Sequence, residues 1–185
     1  MAGSEENTIR SFNEYLEREK KNSYDTRVST ILFSDKAEYL YEKKNVSSVL
    51  PLTKEDYVVG GCTALLDAVG LGIQRMEEFQ KEKVLFIIIT DGYENASIEY
   101  KKDTIKNLIK NHSNWEFIYI GADIDSYSTG GDLGIKKDNI ANFKKDRMGT
   151  SLLFRSVGKF EDAMMCEEKN SSWKKDLENY IEKNN

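Results

Sequence analysis

The chain has 185 residues, of which 39% are hydrophobic and 32% charged, and its formal net charge is -5. This length fits one globular domain. The acidic balance and the lack of a basic stripe argue against a nucleic-acid partner. The lack of an apolar run of about 20 residues argues against a membrane partner. The sequence shows no secretory signal and no metal-type cysteine spacing, so we expect a cytoplasmic protein.

Hydrophobic periodicity predicts helices alternating with strands along most of the chain. The predicted helices cover residues 5–21, 64–80, 100–111, 126–133, 147–167 and 173–183, and the predicted strands cover residues 27–33, 37–41, 84–89, 115–120 and 140–143. Residues 46–56 contain the single proline and predict an irregular crossover with a short helical turn. The apolar run at residues 84–89 is typical of a strand that is covered on both faces.

This order of elements predicts an α/β fold with a Rossmann-like, mostly parallel sheet and helices on both faces. A hairpin of residues 27–33 and 37–41 would contribute one antiparallel strand. In such sheets the functional residues lie beyond the carboxyl ends of the strands. We therefore expect the functional site at the edge where residues 84–89 and 115–120 end.

Two segments near this edge carry the residue types of a metal site. Residues 60–65 read Gly-Gly-Cys-Thr-Ala-Leu and predict a glycine-rich loop that presents Thr63 at the start of a helix. Residues 86–92 read Phe-Ile-Ile-Ile-Thr-Asp-Gly and predict a strand that ends at Asp91. A hydroxyl and a carboxylate are oxygen ligands of the kind that Mg²⁺ prefers. The structural alternatives are a helix cap for Thr63 and a turn residue for Asp91.

Four parts of the chain, namely the strand at residues 27–33 and the segments 60–68, 88–97 and 115–125, resemble the von Willebrand factor type A (VWA) domain, and more narrowly its small stand-alone bacterial and phage members. The last segment reads Trp-Glu-Phe-Ile-Tyr-Ile-Gly-Ala-Asp-Ile-Asp. The resemblance implies a VWA-like domain over residues 1–167, followed by a charged C-terminal helix or tail over residues 168–185. It also implies a non-enzymatic module for protein–protein interaction.

The family's metal-ion-dependent adhesion site (MIDAS) suggests roles for particular residues here. By resemblance, Thr63 and Asp91 would bind Mg²⁺, or Mn²⁺ or Ca²⁺, and a carboxylate of a partner protein would complete the metal shell. The rim of this site would contain four further residues, namely Gly61, Gly92, Asp123 and Asp125.

The chain departs from the family pattern at one motif. The family's Asp-x-Ser-x-Ser, which follows the first strand and supplies further ligands, occurs nowhere in the sequence, and Met1 aligns just after it. The resemblance therefore implies a sheet without its central first strand, and a degenerate or truncated site that binds metal weakly. Three explanations fit: a misassigned start, a deliberate truncation, and a gap that another chain fills.

An alternative hypothesis concerns Asp123 and Asp125. An apolar strand followed by Asp-x-Asp resembles the nucleophile motif of haloacid-dehalogenase-type phosphotransferases, which implies that Asp123 is a nucleophile and Asp125 a general acid. Tyr127 stands where that family usually has Thr or Val, and the strand lies late in the chain, so the VWA hypothesis is preferred. We also expect Cys62 to be buried, and His112 to lie at a solvated helix end rather than in a catalytic triad.

Overall fold

The structure, a computed structural model, describes residues 3–79, 82–168 and 172–184. The helices are α1 (Glu5–Glu19), α2 (Leu65–Met76), α3 (Lys102–Asn111), α4 (Ser126–Asp132), α5 (Arg147–Met165) and α6 (Lys175–Lys183). The strands are β1 (Arg27–Phe33), β2 (Ala37–Asn45), β3 (Leu85–Thr90), β4 (Glu116–Gly121) and β5 (Ile140–Asn142). All predicted helices and strands are present with small shifts at their ends, and β2 is longer than predicted. Met1 and Gln80, the latter a predicted helix end, lie outside the described residues.

The described strands form two sheets. Strands β3, β4 and β5 pair in parallel, in that order, with Leu85 opposite Glu116 and Tyr119 opposite Ile140. Strands β1 and β2 form a separate antiparallel hairpin. The α/β class is therefore confirmed, but the hairpin is not hydrogen-bonded to the parallel sheet.

Helices hold the hairpin beside the parallel sheet. On one face, α2 packs on both, because a Cβ atom added to Gly72 would lie 2.8 Å from Phe86 of β3 and 3.2 Å from Ile31 of β1. On the other face, Phe12 of α1 packs against the apolar clusters of both sheets. Among the described strands, β1 and β3 each have one hydrogen-bonded neighbour. We call the space between their unpaired edges the β1–β3 slot.

The slot changes the burial of β3. In β4, every residue from Phe117 to Gly121 is buried, as expected of a central strand. In β3, only Ile88 and Thr90 are buried. Side chains on both faces of β3 nevertheless pack on apolar clusters, as predicted for a strand that is covered on both faces, with Phe86 and Ile88 in one cluster and Leu85, Ile87 and Ile89 in the other. Its apolar composition suits a central strand, but its position beside the slot leaves side chains on both faces partly exposed.

The C-terminal helix α6 is attached to the body of the fold. The Trp173 indole donates a hydrogen bond of 2.8 Å to the carbonyl of Asp138 and packs edge-on against Phe160, with 5.5 Å between the ring centroids. Leu177 is also buried in this cluster. The domain boundary after residue 167 stays a prediction. Within the described ranges, the helices are too short or too polar to cross a membrane.

Two single-residue predictions are wrong. Cys62 is exposed, because the glycine-rich loop lies on the surface. His112 is buried, since its ring packs on Trp115 with 4.3 Å between the ring centroids, and its Nδ1 lies 2.8 Å from the carbonyl oxygen of Leu108. His112 therefore packs against an aromatic residue at the end of α3 and is not solvated.

Candidate functional site

The three parallel strands bring charged side chains together where they end. Asp91 follows β3 directly, Asp123 follows β4 after one intervening residue, and Lys145 follows β5 after a short loop. The Lys145 Nζ atom lies 3.3 Å from Asp91 Oδ2 and 3.0 Å from Asp123 Oδ2. We call these three residues the strand-end cluster. It places one ammonium group between two carboxylates.

Asp91 is held by the turn that ends β3. The buried hydroxyl of Thr90 donates to the Gly92 carbonyl at 3.1 Å and lies 3.3 Å from the Gly92 amide, which donates to it. The Asp91 side chain is 20% exposed. This burial acts to raise the pKa of Asp91, but hydrogen bonds and nearby positive charge, including that of Lys145, outweigh it and lower the pKa below its usual value. Asp91 is therefore ionised at neutral pH.

Asp123 reaches the cluster through an unusual backbone conformation. Its φ of 55° lies in the left-handed region, which aspartate tolerates better than most residues. The preceding residue is fixed by a 3.0 Å hydrogen bond from the Ala122 amide to the Thr90 carbonyl. Ala122 is thus hydrogen-bonded to the end of β3, and Asp123 follows it in the left-handed conformation. This conformation presents the exposed Asp123 carboxylate to Lys145.

Asp125, the other predicted rim aspartate, has a different role. Its carboxylate accepts a 3.0 Å hydrogen bond from the Ser128 amide and so caps the N-terminus of α4. Its own amide donates to the hydroxyl of Tyr93 at 2.9 Å. Asp125 thus fixes a loop next to the strand-end cluster and makes no ion pair within it.

Lys145 is positioned by the residues on either side of it. The Phe143 side chain is buried, and its amide donates to the Gly121 carbonyl at 2.9 Å. Asp146 caps α5 by accepting a 2.7 Å hydrogen bond from the Gly149 amide. The hydrogen bond to Asp123 contributes most to raising the pKa of Lys145 above its ordinary value. Lys145 was not among the site residues predicted from the sequence, although its position after the third parallel strand was a usable signal.

Thr63 lies beside the residue that follows Asp91. A Cβ atom added to Gly92 would lie 2.6 Å from Thr63 Oγ1, so the threonine hydroxyl occupies the space next to that glycine. The backbone of Thr63 is held by Asn95, through a 2.8 Å bond from the Thr63 amide to Asn95 Oδ1 and a 3.1 Å bond from the Asn95 amide to the Thr63 carbonyl. Thr63 is not the cap of α2, because Ala64 holds that position.

The cap of α2 comes instead from the loop after β3. Glu94 accepts hydrogen bonds from the Leu66 amide at 2.9 Å and from the Ser97 hydroxyl at 2.7 Å. In the opposite direction, Asp67 of α2 accepts from the backbone amides of residues 98, 99 and 100. Burial acts to raise the pKa of Glu94, but these and further backbone hydrogen bonds lower it. The loop and the helix therefore fix each other and hold Thr63 near Asp91.

The two glycines of the loop at residues 60–61 differ in their surroundings. A Cβ atom on Gly60 would lie 2.7 Å from the Ser34 side chain, whereas nothing lies within 4 Å of such an atom on Gly61. The Ala64 amide also donates to the Ser34 carbonyl at 2.7 Å. The loop thus crosses the end of β1, and Gly61, a predicted rim residue, lies exposed to solvent.

These residues do not fit a divalent cation as they stand. Within the described ranges, no group of three or more His, Cys, Asp or Glu side chains is placed to hold a metal ion. The two carboxylates of the strand-end cluster already share the Lys145 ammonium. A divalent ion next to that ammonium would be repelled by it at short range.

Comparison with solved structures identifies the fold. The chain is similar to proximal thread matrix protein 1 (PTMP1) from the mussel byssus, whose fold is VWA-like, with a TM-score of 0.60 and 16% sequence identity over 87% of this chain. The chain has a VWA-like fold. A second crystal form of PTMP1 gives a TM-score of 0.59 with 16% identity over 86% of this chain, and PTMP1 with a zinc-occupied MIDAS motif gives 0.58 with 17% identity over 86%.

This VWA-like chain spans 40% of the length of the PTMP1 chain in the first of these comparisons and 39% in the other two. A scan against protein-family models and a search of curated proteins find no match. At these sequence identities the likeness to PTMP1 establishes the VWA-like fold and leaves the function to be argued from the residues.

Proposed function

We propose that this VWA-like chain is a non-enzymatic module for protein–protein interaction, and that its partner binds at the edge that carries Asp91. From the sequence resemblance, we propose that it is one of the small stand-alone bacterial and phage members. From the cysteine usage of the sequence, we propose a cytoplasmic location. We propose a degenerate or truncated MIDAS-like site, because Thr63 and Asp91 stand in this sequence without an Asp-x-Ser-x-Ser motif. Such a site would bind Mg²⁺ weakly, so recognition of a partner's carboxylate through the metal would contribute little.

The observation that carries this proposal is the location of exposed apolar side chains. Four of the six large hydrophobic residues described as exposed belong to segments around the strand-end cluster. These four are Val58, Tyr93, Ile98 and Met148, which are 78%, 55%, 90% and 51% exposed. Exposed apolar groups that gather at one edge are typical of interaction sites, and aromatic residues and methionine are enriched at protein interfaces.

Chain proximity connects these residues to the cluster. Tyr93 follows Asp91 by two positions, and Met148 follows Lys145 by three. Val58 is next to Tyr57, whose pKa is raised by burial and, in addition, by the negative charge of Asp91. The amide of Ile98 is bonded to Asp67 in the first turn of α2, the same turn that the Glu94 loop caps. The four residues thus belong to segments that lie next to the predicted site in the chain or are bonded to the elements that form it.

The open strand edges give a second reason to propose a protein partner. Unpaired N–H and C=O groups on an edge strand are available to pair with another chain. Strands β1 and β3 each present such an edge at the β1–β3 slot. A partner that reached the Asp91 edge would therefore also find backbone groups with which to pair.

The phosphotransferase alternative gains no support from the geometry. That chemistry requires Asp123 as a nucleophile and Asp125 as an acid that is available to a leaving group. Asp123 is instead paired with Lys145, and the Asp125 carboxylate caps α4. We therefore do not propose an enzymatic role.

A photo-crosslinking comparison of two tyrosines tests the proposal. Tyr93 and Tyr24 are both exposed, at 55% and 42%, but only Tyr93 lies at the strand-end edge. Each is replaced by a benzophenone amino acid in cells that produce the chain, and covalent adducts are detected after irradiation. We expect a discrete protein adduct from position 93 and none from position 24. Adducts of equal yield from both positions, or from position 24 alone, would contradict the proposed surface.

A further inference from the structure

We propose that the Lys145 ammonium is the resident cation of this site and stands in the place of the divalent metal. This inference rests on the proposed VWA-type interaction site and specifies its chemistry. It predicts that the native chain keeps its strand-end edge assembled without metal, and that removal of the lysine charge creates a metal site from the same two carboxylates.

The charges of the strand-end cluster balance only if a cation lies between its two carboxylates. Asp91 and Asp123 extend from neighbouring strands, and their carboxylates would repel each other without a cation between them. Lys145 contacts both carboxylates, at 3.3 Å and 3.0 Å, and its own side chain is 28% exposed. An ammonium in this position gives each carboxylate an opposite charge, which is what a bound metal ion would otherwise provide.

The backbone at Lys145 is held in place by the fold. Its neighbour Phe143 is anchored in the core and pairs with β4, and Asp146 caps α5. Asp146 also accepts a 3.0 Å hydrogen bond from the Tyr180 hydroxyl of α6. The backbone is thus fixed on both sides of Lys145, so the side chain starts from a defined position beside the two carboxylates.

Three side chains at this edge would still offer oxygen ligands to a metal if the lysine charge were removed. Asp91, Asp123 and the hydroxyl of Thr63 lie at one edge, and two carboxylates with a hydroxyl are acceptable oxygen ligands for Mg²⁺ or Mn²⁺ if waters complete the shell. Lys145 opposes binding, because an ammonium cannot act as a ligand and repels a divalent ion. Its replacement by an uncharged side chain is expected to remove this repulsion.

The test is a titration of the full chain with Mn²⁺. Binding is monitored by calorimetry and by the electron paramagnetic resonance signal of free Mn²⁺. Lys145→Met keeps much of the aliphatic stem and removes the charge. We expect Lys145→Met to bind one Mn²⁺ at least about tenfold more tightly than the unmodified chain. Adding Asp91→Asn to Lys145→Met is expected to abolish the binding that was gained.

Lys144→Met is the matched control. It removes the same charge one residue away, where the lysine donates to the backbone carbonyl of Asn184 rather than to a carboxylate. We expect its Mn²⁺ affinity to equal that of the unmodified chain. An equal gain in Mn²⁺ affinity in Lys144→Met and Lys145→Met would show that the gain comes from the change in net charge alone, and it would overturn the proposal.

A measurement on the unmodified chain covers the case in which Lys145→Met does not fold. Paramagnetic broadening of backbone amide signals reports Mn²⁺ bound nearby. We expect no selective broadening at Thr63, Gly92 or Asp123 in the unmodified chain. Selective broadening there, or an unmodified chain that binds Mn²⁺ as tightly as Lys145→Met, would overturn the proposal. A folded Lys145→Met chain that binds no Mn²⁺ would do the same. None of these results would affect the crosslink expected at position 93, so the two proposals fail independently.

Discussion

The hydroxyl of Thr63 fills the space where a side chain on Gly92 would begin. A Cβ atom on Gly92 would lie 2.6 Å from Thr63 Oγ1, which is closer than real Cβ contacts allow. The contact joins the loop before α2 to the end of β3. It is therefore the structural link between the two residues, Thr63 and Asp91, that the sequence singles out.

Gly92→Ala should break this link. The added methyl group must displace Thr63 or shift the turn that Thr90 holds, so we expect a loss of about 1–3 kcal/mol in the free energy of unfolding, as for overpacked sites. Gly61→Ala is the matched control, because nothing lies within 4 Å of its added Cβ. We expect its stability to change by less than about 1 kcal/mol, with stabilisation favoured. Urea unfolding measures both, and equal losses would refute the contact.

The interface between α1 and α5 should make the stability depend on pH. Glu161 is 13% exposed and accepts a 2.9 Å hydrogen bond from the hydroxyl of Tyr15. Burial first, and then the negative charge of Glu19, raise the pKa of Glu161 from 4.5 to about 7. Glu161 is therefore more protonated in the folded chain than in the unfolded chain between these two pH values, so its contribution to stability falls as the pH rises through this window.

Glu161→Gln should remove this pH dependence. We expect the variant to exceed the unmodified chain in stability at pH 8 by roughly 1–3 kcal/mol, with a smaller difference at pH 5. The control is Glu14→Gln, whose side chain is 62% exposed on α1, and which should change stability by less than about 0.5 kcal/mol. Urea titrations at both pH values measure the effect. Parallel pH profiles for Glu161→Gln and the unmodified chain would contradict it.

Hydrogen exchange should distinguish β3 from β4. In a strand of a parallel sheet, the N–H groups of successive residues point to opposite sides. About half of the β3 N–H groups therefore point into the β1–β3 slot, where no described strand offers a carbonyl oxygen as hydrogen-bond acceptor. We expect those amides to exchange at least about tenfold faster than the amides of residues 119–121 of β4, which pair with β3 on one side and with β5 on the other. Uniformly slow exchange across both strands in a dilute sample would contradict an open edge at β3.

The sequence predicted the elements better than the contacts between them. Alternation and helical periodicity depend on residues that are close in the chain, so the elements can be predicted from the sequence. Strand β1, for example, has the predicted bounds 27–33. The partial exposure of β3 was not predicted, because an apolar run looks the same at a sheet centre and beside a slot. Lys145 was missed for a related reason. The run Lys144-Lys145-Asp146 is typical of a solvated turn. Whether Lys145 can reach Asp91 and Asp123 depends on where β5 ends relative to β3 and β4.

The hydrogen bonds around α2 show the same limit. Thr63 has the residue type and position of a helix cap, yet Glu94 caps the helix from 28 positions further along the chain. Long-range pairing of this kind leaves no periodic signal in the sequence. The predicted pair of Thr63 and Asp91 does lie at one edge, because the rule for the ends of parallel strands depends on topology, and the topology was predicted.

The central claim is that a lysine, and not a metal, neutralises the strand-end cluster. The most direct measurement is anomalous diffraction from crystals of the unmodified chain grown in millimolar Mn²⁺. We predict no anomalous peak near Asp91, with electron density for the Lys145 ammonium between the Asp91 and Asp123 carboxylates. An anomalous peak within metal–ligand distance of the Asp91 carboxylate, with the Lys145 side chain turned away, would contradict the account.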